Sequence, residues 1–467
     1  MPTIAVYGGS FNPPCAQHLA VAQAVLTHFD QLVVVPCGPR PDKPSDAAVA
    51  PSYRAAMVDM TFGSLPRTEV DFFDLEQAHF TRTGLLDARY APRGEVWHVV
   101  GADLLSGAAG GNSFIQKHWQ NGRELLKRLN FVVITRPGHE LSDADLPPKH
   151  QLIQLSDPGS AHELRERLYN GESPGDDLTP LVADYVARHG LYTGRPPTSA
   201  TRLDPFRPRC LVFADDRNEK AMEFARRCER CADGGDPNCV LVIGGDGTML
   251  RAIREHWRKR LPFFGINAGH LGFLLNDPEE LEDAAGGDLI PPTVVTRQMP
   301  MIYVEALGAD GIWRDALSFN DAWVERATSQ TAQMRVVVNG RERIPKLVCD
   351  GVLFSTAAGS TAYAMSMGAT PLLADTPGWL IVGSNVMSPV GWKTALLPLE
   401  TVVELEMLDT GKRPVKAYAY GADLGEVRAL RARISRMASV ELGFVPHHDL
   451  AEKIARVQFP TPNAARL

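Results

Sequence analysis

A chain of 467 residues with 48 Lys and Arg against 55 Asp and Glu, net −7, carries no bulk positive charge for nucleic acid or another polyanion. Its 44% hydrophobic content suits a globular protein with sizeable cores, and its length predicts about two to four domains. No apolar run reaches the ~18 residues of a membrane span. Met1-Pro2-Thr3 runs straight into a strand without a basic leader. Seven cysteines, an odd number, favour reduced thiols, so a cytoplasmic protein with no membrane partner is expected.

Residues 1–193 alternate apolar strands ("IAVYGG", "QLVVVP", "EVWHVVGAD", "LNFVVITRPG") with helical stretches over 16–29 and 53–62. That alternation predicts a parallel, doubly wound α/β sheet with helices on both faces. The small-residue run "SGAAGGNS" (106–113) reads as a mobile loop. "TGRPPTSATRLDPFRPR" has no periodicity and is rich in Pro and Arg, which predicts a linker over 194–208. A second α/β pattern fills 209–292, with strands "CLVFADD", "CVLVIGGDG" and "LPFFGIN". From about residue 293 alternating strands dominate, predicting a β-rich sandwich over 293–467 with a C-terminal return to the α/β part. Cys228, Cys231 and Cys239 lack a second CxxC to complete a zinc site, so no metal ligands are assigned.

Two strand-to-helix turns carry chemistry. At Gly8, Gly9, Ser10 and Phe11 the chain leaves a strand and enters a helix. Glycines there let the backbone approach a phosphate, and the helix N-terminus favours its charge. His18 falls on the first turn of that helix. The run "GGSFNPP", with "VPCGPRPDK", "GAD" at 101–103, "TRPG" at 135–138 and "LVADYVARHGLY", resembles bacterial nicotinate or nicotinamide mononucleotide adenylyltransferases over roughly residues 1–193. The resemblance implies ATP and a mononucleotide as ligands. It gives Gly8, Gly9, Ser10, Phe11, Lys43, Asp103 and Arg165 binding roles and His18 a catalytic one. The family's His-x-Gly-His appears as Cys15-Ala16-Gln17-His18, and its Ser-Ser-Thr-x-Ile-Arg as Ser160-Ala161-His162-Glu163-Leu164-Arg165. Cys15 is therefore read as standing where a phosphate-clamping imidazole would be. The mononucleotide phosphate is already anionic, so the reaction needs positioning and charge stabilisation more than a base. One lost donor then costs about 3 kcal/mol, roughly a hundredfold in rate. The alternative is a nucleotide-binding sensor that no longer turns over.

The second turn is "VLVIGGDGTMLRAIRE". Gly245, Gly247 and Thr248 offer backbone to phosphate, with Arg251 nearby. Asp246 places a carboxylate where it can take a proton from an attacking hydroxyl or hold a metal. The pattern is not a P-loop. Together with "GINAGHLGFL", "FNDAWVER" and "DGVLFSTAAGSTAYAMSMGA", it resembles NAD kinases over about 208–460. The resemblance implies that Asp246 acts on the 2′-hydroxyl of the adenosine ribose of NAD. Phe273, Asn320, Asp321, Asp350, Thr361, Ala362, Tyr363 and Ser366 are the implied dinucleotide contacts. A lipid kinase sharing GGDGT is the weaker alternative, opposed by "GSTAY" and by the lack of an amphipathic membrane stretch. Two departures stand out. Ala357 replaces the family's Pro, which is expected to loosen the loop because Pro fixes φ. Tyr420-Gly421-Ala422 replaces Asp-Gly-Gln.

The whole reads as a fusion that makes a dinucleotide and then its 2′-phosphate. Small-molecule nucleotides are the expected partners (NAD, ATP and a nicotinate or nicotinamide mononucleotide), with Mg²⁺ on the ATP phosphates. A homo-oligomer through the kinase half is also expected.

Overall fold

The computed structural model describes residues 1–459 except 41–48, 136, 138–140, 156–160, 197, 199, 229–235 and 286–289, with backbone alone over 282–285. Lys43, Gly138, Ser160 and Cys231 lie outside the described residues. The chain divides into two compact units, Met1–Thr198 with Arg258–Arg260 and Ser199–Trp257 with Leu261–Leu467.

The first unit holds β1 (Thr3–Gly9), β2 (Gln31–Pro36), β3 (Thr68–Val70), β4 (Glu95–Gly101), β5 (Asn130–Thr135) and β6 (His150–Gln154). All neighbouring pairs are parallel, in the order β3-β2-β1-β4-β5-β6. Strands of this kind are covered on both faces and so read as near-continuous apolar runs. Ile4 and Val6 of β1 pack with Val33 and Val35 of β2 against Leu86 and Tyr90 of the helix Thr83–Tyr90. Val100, Phe131 and Val133 meet Ile115, Leu125 and Leu126 of the helices Phe114–His118 and Gly122–Arg128. The strand order reverses between β1 and β4, and in such sheets the ligand crevice opens at the carboxyl ends of the strands at that switch point.

The second unit continues with β7 (Ala200–Leu203), β8 (Cys210–Ala214), β9 (Cys239–Gly244), β10 (Phe263–Asn267) and β11 (Val294–Gly308). Next come β12 (Trp313–Ser318), β13 (Asp321–Arg326), β14 (Ala332–Val338), β15 (Arg341–Cys349) and β16 (Gly351–Ser355). Then follow β17 (Gly378–Ser384), β18 (Thr394–Pro398), β19 (Val402–Met407), β20 (Val415–Ala419) and β21 (Ala422–Phe444). β8, β9 and β10 run parallel, and β10 pairs in parallel with the end of β21 at Leu442 and Gly443. The β-rich part is antiparallel and runs β15-β14-β19-β21-β20-β13-β16-β17-β18. It wraps a core in which Val324, Phe354 and Trp379 meet Met334, Leu405 and Leu430.

Three local expectations change. Ala200–Leu203, inside the expected linker, is a strand, since its backbone groups are satisfied by pairing with β11 at Val294–Arg297. The loop 106–113 is tied down: Asp145 accepts the N–H groups of Gly107 at 3.1 Å and Ala109 at 2.8 Å. The expected division between 209–292 and 293–467 falls inside one compact unit, because β21 serves both sheets.

Candidate functional sites

In the first unit, Gly8, Gly9 and Ser10 close β1 at the switch point, and Asp103 stands exposed just beyond the end of β4. The helix Ala16–Leu26 starts six residues after Ser10, with Cys15 as its N-cap. His18 reaches back so that its Nδ1 accepts the Cys15 backbone N–H at 3.0 Å, and the Cys15 Sγ lies 3.0 Å from the same nitrogen. A nitrogen that accepts carries no proton, so the hydrogen of the neutral ring sits on Nε2. Burial pushes the imidazole pKa down to about 4, which keeps it neutral at physiological pH.

Cys15 does not stand in the place of a phosphate clamp. It is 4% exposed and packs with Met57, Leu164 and Val182, and burial pushes its thiol pKa up. The Phe11 ring is also core, 2% exposed and edge-on to Tyr7, His18 and Phe62. Its φ of 46° turns the chain here, so Phe11 offers a ligand only its backbone.

Two side chains brace this loop from afar. Arg165 donates to the Asn12 carbonyl at 2.7 Å. Arg54, 2% exposed, spends its guanidinium on Ser10 O at 2.6 Å and Cys37 O at 2.8 Å. Sequence reasoning missed Arg54. The only signal was an arginine on the first turn of a helix whose neighbours are apolar, where a charge needs partners.

In the second unit, Gly245 caps the helix Asp246–His256, which puts Asp246, Gly247 and Thr248 on its first turn. Asp246 Oδ2 accepts the Phe273 N–H at 3.0 Å and Oδ1 the Leu274 N–H at 2.9 Å. Burial raises its pKa; the two amides and the charge of Lys453 oppose that rise. The loop that supplies the amides needs Gly272, whose φ is +57° and whose missing Cβ leaves room for the Asn267 side chain. Thr248 is buried with its hydroxyl 3.4 Å from Asp215, and Arg251 is exposed 3.9 Å from the same carboxylate.

The loop of 356–361 lies against Asn320. Gly359 approaches the Asn320 backbone so closely that a Cβ would collide with it. The Asn320 Oδ1 is buried with no hydrogen-bond partner among the described residues. Burial raises Asp321 to a pKa of about 6. The loop that carries Ala357 is held by side-chain hydrogen bonds on both sides of it. Thr356 Oγ1 donates to Phe319 O at 2.8 Å and accepts the Gly359 N–H at 3.1 Å, while Ser360 Oγ accepts the Leu372 N–H at 2.8 Å. Tyr420 ties to the Asp246 helix through Leu250 O at 2.9 Å.

Four of the assigned residues, Phe273, Thr361, Asp350 and Tyr363, line two clefts. Phe273, Leu274 and Thr361 share a narrow apolar cleft next to Asp246. Asp350 and Tyr363 line a larger cleft of about 350 Å³ with Trp323 and Met367. Asp350 is held there by Arg326 at 2.7 Å and Asn385 at 2.8 Å. Tyr363 is 44% exposed, so it is not a core residue; Ser366 is exposed beside it, and Ala362 links it to Thr361.

Among the described residues no three His, Cys, Asp or Glu converge on one point. Both Asp246 oxygens already accept amides. Each accepts a single N–H and keeps a lone pair, which leaves the carboxylate able to meet a Mg²⁺ arriving on the ATP phosphates.

Residues 6–167 match the cytidylyltransferase-like family, and residues 197–285 match the ATP-NAD kinase N-terminal domain. The NAD kinase of Rickettsia bellii is 31% identical over 250 residues, covering 53% of this chain and 96% of that protein. The NAD kinase of Caulobacter vibrioides is 32% identical over 262 residues, covering 55% and 97%. That of Rhizorhabdus wittichii is 34% identical over 223 residues, covering 47% and 85%.

Proposed function

The chain belongs to the NAD kinase family, with a cytidylyltransferase-like domain fused in front, and from that premise we propose that it runs two consecutive ATP-dependent transfers. The kinase half phosphorylates the 2′-hydroxyl of the adenosine ribose of NAD. The observation that carries this is Asp246, a carboxylate on the first turn of a helix, fixed by two amides and made more basic by burial. The ribose oxygen attacks the γ-phosphorus of ATP, its proton passes to Asp246, and ADP leaves. The amides of Gly247 and Thr248 and the helix dipole face the transferring charge. Asn320 and Asp321 supply the acceptors that orient the dinucleotide.

The front half transfers an adenylyl group to a nicotinate or nicotinamide mononucleotide. Its phosphate oxygen attacks the α-phosphorus of ATP and pyrophosphate leaves. Gly8 to Ser10 present backbone to the phosphates, and His18 Nε2–H donates to the charge that develops. Lys43 and Arg165 complete the phosphate contacts in this reading. A homo-oligomer through the kinase half is part of it, supported by the exposed Met387, Val390 and Leu396 near β17 and β18. A cytoplasmic location is part of this reading, supported by the odd number of cysteines in the chain.

The test uses the full chain. NAD with ATP should yield NADP, and either mononucleotide with ATP should release pyrophosphate. Absence of NADP overturns the kinase reading. Absence of pyrophosphate while calorimetry still detects mononucleotide binding makes the front half a sensor.

A further inference from the structure

We infer that Lys453, on the C-terminal helix Leu450–Gln458, is a positioning residue for the kinase reaction, acting on Asp246 through the peptide group between Gly272 and Phe273. The inference rests on the kinase reading above.

A lysine ammonium has three donors and is rarely buried unless all are matched. Lys453 is 6% exposed at its side chain, and its Nζ meets Gly272 O at 3.0 Å, Leu275 O at 2.8 Å and Asp277 Oδ2 at 3.3 Å. Each partner belongs to the segment that holds Asp246.

The first contact has a particular geometry. Gly272 O and Phe273 N–H are the two ends of one planar trans peptide, pointing opposite ways. Lys453 grips the oxygen end, and Asp246 Oδ2 accepts from the nitrogen end at 3.0 Å. The peptide dipole therefore lies between an ammonium and a carboxylate, aligned with both. Each charge polarises the group toward the other and strengthens both bonds. With Leu275 O gripped as well, Lys453 brackets the two amides that hold Asp246.

The clasp is knitted in place by its surroundings. Asp277 also accepts from Asn267 Nδ2 at 3.0 Å, and Glu280 accepts from the Asp277 N–H at 3.1 Å while lying 2.9 Å from His448 Nδ1. Burial raises the Asp246 pKa, the Leu274 and Phe273 amides oppose that rise most, and the charge of Lys453 adds to them. Asp277 and the His448–Glu280 pair gather beyond it, around Lys453. His270 on the loop and Arg251 on the Asp246 helix are exposed.

The experiment is the pH profile of kcat/KM for NADP formation by the full chain. Asp246 must be ionised to accept the proton, so activity falls on the acid side. Lys453→Met removes the ammonium. The acid limb should move to higher pH by about one unit, and kcat should fall about tenfold or more with KM for NAD within about threefold. Lys453→Arg, which keeps the charge, should leave the limb in place. Asp277→Asn removes the counter-ion and should move the limb the opposite way, to lower pH. A packing role alone would not give opposite shifts. An unmoved limb in Lys453→Met overturns the inference. Should that variant not fold, an unmoved limb in Asp277→Asn overturns it. A wild-type chain that makes no NADP refutes the kinase reading and takes this inference with it.

Discussion

His18 Nδ1 accepts the backbone N–H of Cys15, so the imidazole is anchored at one nitrogen and presents a proton at the other. His18→Ala should lower pyrophosphate release about a hundredfold, the worth of one charge-stabilising donor. Cys15→His should not raise it. The thiol sits in a packed cluster, and a larger ring there should cost about 1–3 kcal/mol of stability. Cys15→Ser should keep most of the turnover. A coupled pyrophosphate assay beside thermal melts reads all three, and a faster Cys15→His enzyme would return Cys15 to the phosphate site.

Asp246→Asn should lose about a thousandfold or more in NADP formation, and it should also raise KM for NAD. An asparagine amide can accept one of the two N–H groups but must turn its own NH₂ against the other. The loop at Phe273 and Leu274 then shifts, so chemistry and binding suffer together. Steady-state kinetics with the variant decides. Turnover near wild type would remove Asp246 from the reaction.

Dinucleotide affinity should follow the ionisation of Asp321. Its carboxyl is raised to about 6 by burial, so it is mostly protonated at pH 5 and mostly ionised at pH 7. If the carboxylate accepts from the ligand, affinity for NAD should rise between those values and level off above. Titration calorimetry at pH 5, 6 and 7 measures this. Asp321→Asn should bind more weakly at pH 7 and show no such rise. A pH-dependent affinity that survives in Asp321→Asn would assign the titration to another group.

Limited proteolysis of the full chain should cut first between residues 193 and 198. Thr193 to Pro196 are exposed, whereas Ala200–Leu203 is paired in a sheet. Mass spectrometry of the first fragments locates the cut. A first cut inside 200–208 would mean that the pairing of β7 with β11 does not protect the chain.

The two strand-glycine-helix turns were legible because everything they need is local. A buried apolar strand, small residues at its end and a helix after it lie within about twenty consecutive residues, which is what period and turn chemistry report. Arg54 and Lys453 were not legible. Arg54 acts on carbonyls 44 and 17 residues away, and Lys453 on carbonyls 181 and 178 residues away, and main-chain acceptors leave no trace in side-chain identity. The strand Ala200–Leu203 was hidden for a similar reason. Its four residues carry no alternation of their own and become a strand only because β11 offers an edge. Cys15 was misplaced because a motif aligns positions, whereas the direction of a side chain depends on the core packed behind it.

Strand β21 runs for 23 residues from Ala422 to Phe444, and its far end closes the parallel sheet beside β10. Excising residues 209–292 would strip that neighbour away and leave the N–H and C=O row of β10 bare, an open template for other chains. Such a fragment should aggregate rather than fold. The sheet that carries the GGDGT turn is therefore completed only by the last strand of the β-rich part, nearly two hundred residues downstream.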